Sequence, residues 1–255
     1  MKRPRERIGS LGENKSTTVL SRKARSAFVL LVDKTDDILE IIQSKEKLIS
    51  KGKEVLIMKQ GDKTKVIVVT DGDKVAKESI QTASKSLGLR CISLSAGNPT
   101  PLTPEETVEL IMQAKADPVV VMVDDRGIPG EGAGERVLRF LAKDTRVDLL
   151  GVVAVASNTP STAGVEVDCS ITKTGQIYSG SVDKTGFPES IFHEHLEGDT
   201  VDVLNELNVP VVIGIGDIGK MDGLDDCRKG APNTTLALKE VLERSGQLHG
   251  DCRKN

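Results

Sequence analysis

The chain has 255 residues, 38 % hydrophobic and 29 % charged, with a formal net charge of −3, which suits one large α/β domain or one domain with an appendage. Aromatic residues make up 2 % and Trp is absent, so the core is built from Val, Ile, Leu and Ala, and the stacking platforms that hold single-stranded nucleic acid are not expected. The longest apolar runs, near Val119–Val123 and Leu149–Ala156, fall far short of the roughly 20 residues that span a bilayer.

The N-terminal stretch is basic, with eight Lys/Arg against two Glu in residues 1–26, leaving an acidic body behind it. Such an arm reads as a solvated tail, or as one that touches an anionic lipid surface or nucleic acid. Ala27–Val32 follows as a short strand, but Asp33 cuts it off before a signal-peptide core forms. Asp36–Ser50 has helical spacing and Glu54–Met58 reads as a further strand. Residues 1–64 are taken as an N-terminal extension, 65–250 as the α/β domain and 251–255 as a tail.

The regular pattern starts at Lys65. Val66–Val69 reads as a strand and Lys74–Leu87 as an amphipathic helix that Asp73 caps. Leu89–Leu94 is the next strand, followed by the loop SAGNPTP. Thr103-Pro104-Glu105-Glu106 carries a capping box with Pro at the first helical position and opens a helix to about Ala116. Val119–Val123 is a strand, Ala133–Lys143 a helix and Leu149–Ala156 a strand. This alternation predicts βαβ crossovers, a mainly parallel Rossmann-like sheet and a three-layer sandwich. Asn158–Gly198 breaks the rhythm and reads as a small antiparallel excursion, with β-prone pieces at Val165–Ile171 and Gln176–Ser179. Asp199–Leu207 returns as a helix, Val209–Ile215 is the last strand and Thr234–Arg244 the closing helix.

Three strands run from apolar residues into Asp and Gly: VIVVTDGD, VVVMVDDRG and VPVVIGIGDIGKMDGLDD. Their ends predict one shared edge for ligand binding or docking, carrying Asp71, Asp73, Asp124, Asp125, Arg126, Gly214, Gly216, Asp217 and Gly219. Gly214–Gly219 matches G-x-G-x-x-G, but a dinucleotide site needs a helix to open at once behind the glycines. Here Lys220–Pro232 intervenes with several Asp that would repel a pyrophosphate. No G-x-x-x-x-G-K-[ST] or G-x-S-x-G sequence occurs, so neither a P-loop hydrolase nor a Ser triad is supported.

Carboxylates at neighbouring strand ends can hold Mg²⁺ for phosphoryl transfer. DDRGIPGEGAGERVLRFL faintly resembles the acidic loop of Toprim domains, but Asp124 and Asp125 are adjacent where that family has D-x-D, and Thr70-Asp71 stands where it has Glu. The competing expectation is that Asp73 caps a helix and Asp124 or Asp125 organises a turn. Arg126 either meets a carboxylate ligand or pairs with Glu131 in a glycine-rich loop that includes Gly130. Ser157-Asn158-Thr159 leaves a buried strand at the same edge. The four cysteines are widely separated and form no C-x-x-C pair, pointing to reduced thiols in an intracellular protein. His193 and His195 flank Glu194 without an evident third metal ligand.

Taken together, VIVVTDGDKVAKESI, RCISLSAGNPT, PVVVMVDDRG-IPGEGAGE, LLGVVAVASNT and VPVVIGIGDIGKMDGLDD resemble the stage V sporulation protein AE family in its soluble form, over roughly Lys65–Gly250. The resemblance implies an accessory part in endospore formation and germination, beside the machinery that moves and releases dipicolinic acid. It implies membrane and soluble partners from the same system, a place in the forespore or spore, soluble or peripheral to the inner spore membrane, and no nucleic acid. It supplies no catalytic residues and no cofactor. Two alternatives stay open: a Mg²⁺-dependent, Toprim-like phosphoryl-transfer enzyme using Asp71, Asp73, Asp124 and Asp125, and a small-dicarboxylate receptor using Arg126, Lys220 and Arg228.

Overall fold

The computed structural model describes residues 63–127, 131–158, 162–190 and 193–247. The expectations for residues 1–62, for the 251–255 tail, and for Gly130 and Thr159 lie outside the described residues.

The apolar runs form a single sheet because each can bury both of its faces. In β1 (Thr64–Val69), Val66 and Val68 enter one core while Ile67 and Val69 enter the other. In β3 (Val119–Met122), Val119 and Val121 enter the first core, Val120 and Met122 the second. With β2 (Arg90–Cys91), β4 (Val147–Val155), β5 (Cys169–Ile171), β6 (Ile177–Tyr178) and β7 (Val212–Ile215), the seven-stranded order is β2-β3-β1-β4-β7-β5-β6. Every pairing is parallel except β5 with β6.

Helices cover both faces. α1 (Lys74–Ser86) and α4 (Pro232–Arg244) bury Ile80, Ala83, Leu238 and Val241 in one core. α2 (Pro104–Met112) and α3 (Ala133–Leu141) bury Val108, Ile111, Val137 and Leu138 in the other. The three-layer α/β sandwich expected from the alternation is the observed architecture. The chain leaves β1 toward one face and β3 toward the other, although the two strands are neighbours. That divergence opens a crevice at the carboxyl ends of β1 and β3, where open α/β sheets characteristically bind ligands.

Local signals explain most helix starts. Asp73 Oδ1 accepts the Ala76 amide at 2.8 Å. The Thr103 hydroxyl accepts the Glu106 amide at 3.2 Å, and Glu106 Oε2 accepts the Thr103 amide at 2.9 Å. Other expectations shift. The strand read over Leu89–Leu94 shortens to β2, because Ser93–Ser95 turns into a 3₁₀ segment. Asp202–Glu206 is also 3₁₀ rather than the start of an α-helix. The excursion is less separate than its composition implies. Val165 and Leu196 bridge antiparallel, as do Val182 and Pro188, but β5 docks parallel beside β7 and continues the main sheet.

Candidate functional site

The strand ends do converge on the β1/β3 crevice. A polar cleft of about 300 Å³ is lined by Thr70, Asp71 and Asp73 after β1, by Asp124, Arg126 and Gly127 after β3, and by Ser157 and Asn158 after β4. Asp217 and Lys220 reach it from the loop after β7, and Asn98, Lys184 and Asp199 from the intervening segments. The tight junction is built locally. Thr70 Oγ1 accepts the Val155 amide at 2.9 Å, tying β1 to β4. Thr100 Oγ1 accepts the Asp124 amide at 2.8 Å, so the SAGNPT loop clamps the end of β3.

The carboxylates of the cleft divide by what they hold. Asp124 is buried, and its Oδ1 accepts the Arg126 amide at 2.8 Å while Oδ2 accepts the Gly72 amide at 3.3 Å. Burial pushes its carboxyl up to about 6, and the Asp199 charge adds to the push against those two amides. Asp217 Oδ1 accepts the Gly219 amide at 3.0 Å, and its Oδ2 binds Lys220 Nζ at 2.5 Å. Asp199 Oδ2 accepts the Gly127 amide at 2.5 Å, joining the segment just after the excursion to the β3 loop. Asp71 is different. It is partly buried and accepts one amide, that of Asp73, at 3.1 Å. Desolvation, followed by the charge of Asp73 and the lesser pressure of Asp124 and Asp217, drives its carboxyl up to about 8.

Asp125 stands beside the cleft in sequence but not among its lining residues. Its side chain turns inward, 2 % exposed. Oδ1 accepts the Gly134 amide at 2.5 Å and Oδ2 the Glu135 amide at 3.0 Å, so it caps α3 from nine residues upstream. Asp225 does the same for α4, accepting the Asn233 amide at 2.7 Å and the Thr234 amide at 3.0 Å.

The G-x-G-x-x-G segment serves packing. Gly214 lies inside β7, where a Cβ would collide with Ser170 Oγ and meet Leu196 Cδ1 at 2.7 Å. A Cβ on Gly216 would stand 2.6 Å from the Gly186 amide nitrogen. No helix opens behind the glycines, since α4 begins at Pro232. Gly214, Gly216 and Gly219 are absent from the cleft lining, and their loop contributes Asp217 and Lys220 instead.

The cations also sort themselves. Glu131 pairs with Arg139 at 3.2 Å, not with Arg126. Arg228 is committed to Asp226 at 2.5 Å and does not line the cleft. Lys184, which sequence reasoning passed over, does line it. Neither Arg126 nor Lys184 has a side-chain hydrogen bond or ion pair among the described residues. Arg126 is held at a positive φ of 58°, a conformation costly for a non-glycine residue. The Asp124 carboxylate accepts its backbone amide there.

Among the described residues, no three of His, Cys, Asp and Glu stand together as a metal-ligating group. Most of the cleft's carboxylate oxygens are taken by amides or by Lys220, as the phosphoryl-transfer reading did not anticipate. His193 Nε2 lies 3.0 Å from Glu197 Oε1, away from the cleft. Cys91, Cys169 and Cys227 are free thiols. No described helix is long and apolar enough to cross a membrane.

No curated protein and no solved structure matches the chain significantly. A protein-family model does, over residues 65–245, and its description is Stage V sporulation protein AE1. That span contains the sheet except Thr64 at the start of β1, the four α-helices of the described residues and every residue of the cleft, and it agrees with the resemblance carried by the strand-end motifs. The chain therefore belongs to the Stage V sporulation protein AE1 family.

Proposed function

We propose that this sporulation protein is a non-catalytic accessory of endospore formation and germination. It serves the machinery that moves and releases dipicolinic acid, in the forespore or at the inner spore membrane, and acts by binding. Family membership supports the process. The cleft supports the ligand class: Arg126 and Lys184 line it without side-chain partners among the described residues, with Lys220 beside them. Two uncommitted cations on a preformed polar crevice suit a small ligand carrying two carboxylates, because charge-assisted hydrogen bonds are the stronger kind. Dipicolinate, a pyridine with two carboxylate groups, has that chemistry.

Two experiments test this reading. Spores of a strain lacking the chain are expected to hold less dipicolinic acid, or to release it more slowly at germination; unchanged content and release would count against the process. In vitro, dipicolinate with and without Ca²⁺ is expected to raise the melting temperature of the purified full chain. An unchanged melting temperature at millimolar ligand would reject the cleft as its site.

A further inference from the structure

We propose that Asp71 is the proton-coupled position of the cleft: as a neutral carboxylic acid it donates a hydrogen bond to the bound dianion, so the ligand enters with a proton held and is released as that proton leaves. This inference rests on the reading of the cleft as a dicarboxylate site.

The geometry singles out Asp71 from its neighbours. Asp124 receives two backbone amides, and Asp217 receives an amide and a lysine. Asp73 receives the Ala76 amide and is otherwise exposed to water. Asp71 receives one amide at 3.1 Å on Oδ1, and its Oδ2 has no donor among the described residues. A partly buried carboxylate with one donor, pressed by like charges, is most stable with its proton on. A protonated carboxyl supplies an O–H donor that an ionised one lacks. An anion seated at Arg126 and Lys184 then gains a third donor instead of meeting a further negative charge.

The surrounding charges are known from each segment at the cleft. Asp73 flanks Asp71 on its own loop. Asp124 and Arg126 face it from the β3 loop, with Asp125 just behind. Asp217 and Lys220 face it from the β7 loop, Lys184 from the excursion and Asp199 from just beyond it. The Asp217 carboxylate bound to Lys220 raises the pKa of that lysine. The Asp71 carboxyl, at about 8, is therefore the group that changes state above neutrality. The sign follows from linkage. Above that value free Asp71 is ionised, binding must take up one proton from solvent, and affinity falls about tenfold per pH unit. Below about pH 7 the proton is already in place and the Asp71 contribution is level.

The test is calorimetric titration of dipicolinate into the full chain between pH 7 and 9.5, in two buffers of different ionisation enthalpy. The expected result is a Kd that is nearly level near pH 7, rises about tenfold between pH 8.5 and 9.5, and comes with uptake approaching one proton per site. Asp71→Asn keeps a neutral side chain with a donor. It is expected to lose the rise, with a Kd that stays level from pH 7 to 9.5 whatever its value at pH 7. A parental Kd that stays level from pH 7 to 9.5, or a rise that survives in Asp71→Asn, overturns the proton link and leaves the dicarboxylate site standing. Absence of binding at every pH overturns both. The ligand-free protein gives an independent check: carbon NMR of labelled Asp, assigned by difference with Asp71→Asn, should show a titration midpoint near 8, and a midpoint near 4 overturns the proposal.

Discussion

Replacing Asp125 with Ala tests whether the second acid of the DD pair is a structural cap. Its side chain is 2 % exposed, and its two oxygens take the Gly134 amide at 2.5 Å and the Glu135 amide at 3.0 Å. Loss of an N-cap costs about 1–2 kcal/mol. An amide left buried without an acceptor adds about 1–3 kcal/mol. The two terms overlap, so a loss of about 3 kcal/mol is expected for Asp125→Ala, equivalent to a fall in melting temperature of about 6–12 °C for a domain of this size. Urea denaturation followed by circular dichroism reads the change, with the m-value unaltered. Asp125→Asn retains a side-chain oxygen and should recover about half of the loss. Dipicolinate affinity, measured well below the melting temperature, should stay within about threefold of the parent. An Asp125→Ala protein within about 0.5 kcal/mol of the parent, a change typical of surface positions, would refute the cap.

Other outcomes follow from the same geometry. Gly214→Ala places a methyl group against Ser170 and Leu196 and should cost about 2 kcal/mol by overpacking; thermal melts would show it, and parental stability would contradict the packing role of that glycine. Asp71 also makes stability depend on pH. Its folded-state value of about 8 exceeds the ordinary value near 4, so the folded protein holds the proton longer. Its contribution to stability is fully present below about pH 4, is lost as pH rises through about 8, and is level beyond. Asp71→Asn should therefore gain more relative to the parent at pH 8.5 than at pH 5 in urea titrations; an equal gap at both would contradict the shift. Thr103→Ala removes the reciprocal cap of α2 and should lower stability by about 1 kcal/mol, without changing dipicolinate affinity.

The fold was legible where periodicity and local capping agreed. β1, β3 and β7 coincide with unbroken apolar runs, and Asp73 and Thr103 cap the helices that follow them directly. Asp125 and Asp225 were harder to place because they reach helices eight to ten residues downstream, a spacing set by loop geometry rather than by a capping pattern. Gly214 and Gly216 look like phosphate-binding glycines in sequence, yet the reason for them is the close approach of Ser170, Leu196 and Gly186. Those neighbours come from the aperiodic excursion, which no local signal places. Lys184, and Asp199 just beyond the excursion, enter the cleft for the same reason. The acidic half of the site was therefore visible at the strand ends, while part of its basic half depends on tertiary structure.

The most direct measurement is calorimetric titration of dipicolinate into the full chain at pH 7, beside Arg126→Ala and Lys184→Ala. Neither side chain has a structural partner among the described residues, so both variants should melt like the parent. One saturable site is expected in the parent, with at least tenfold weaker binding in each variant. Absence of saturable binding, or affinities unchanged in both variants, would contradict a dicarboxylate site in the cleft.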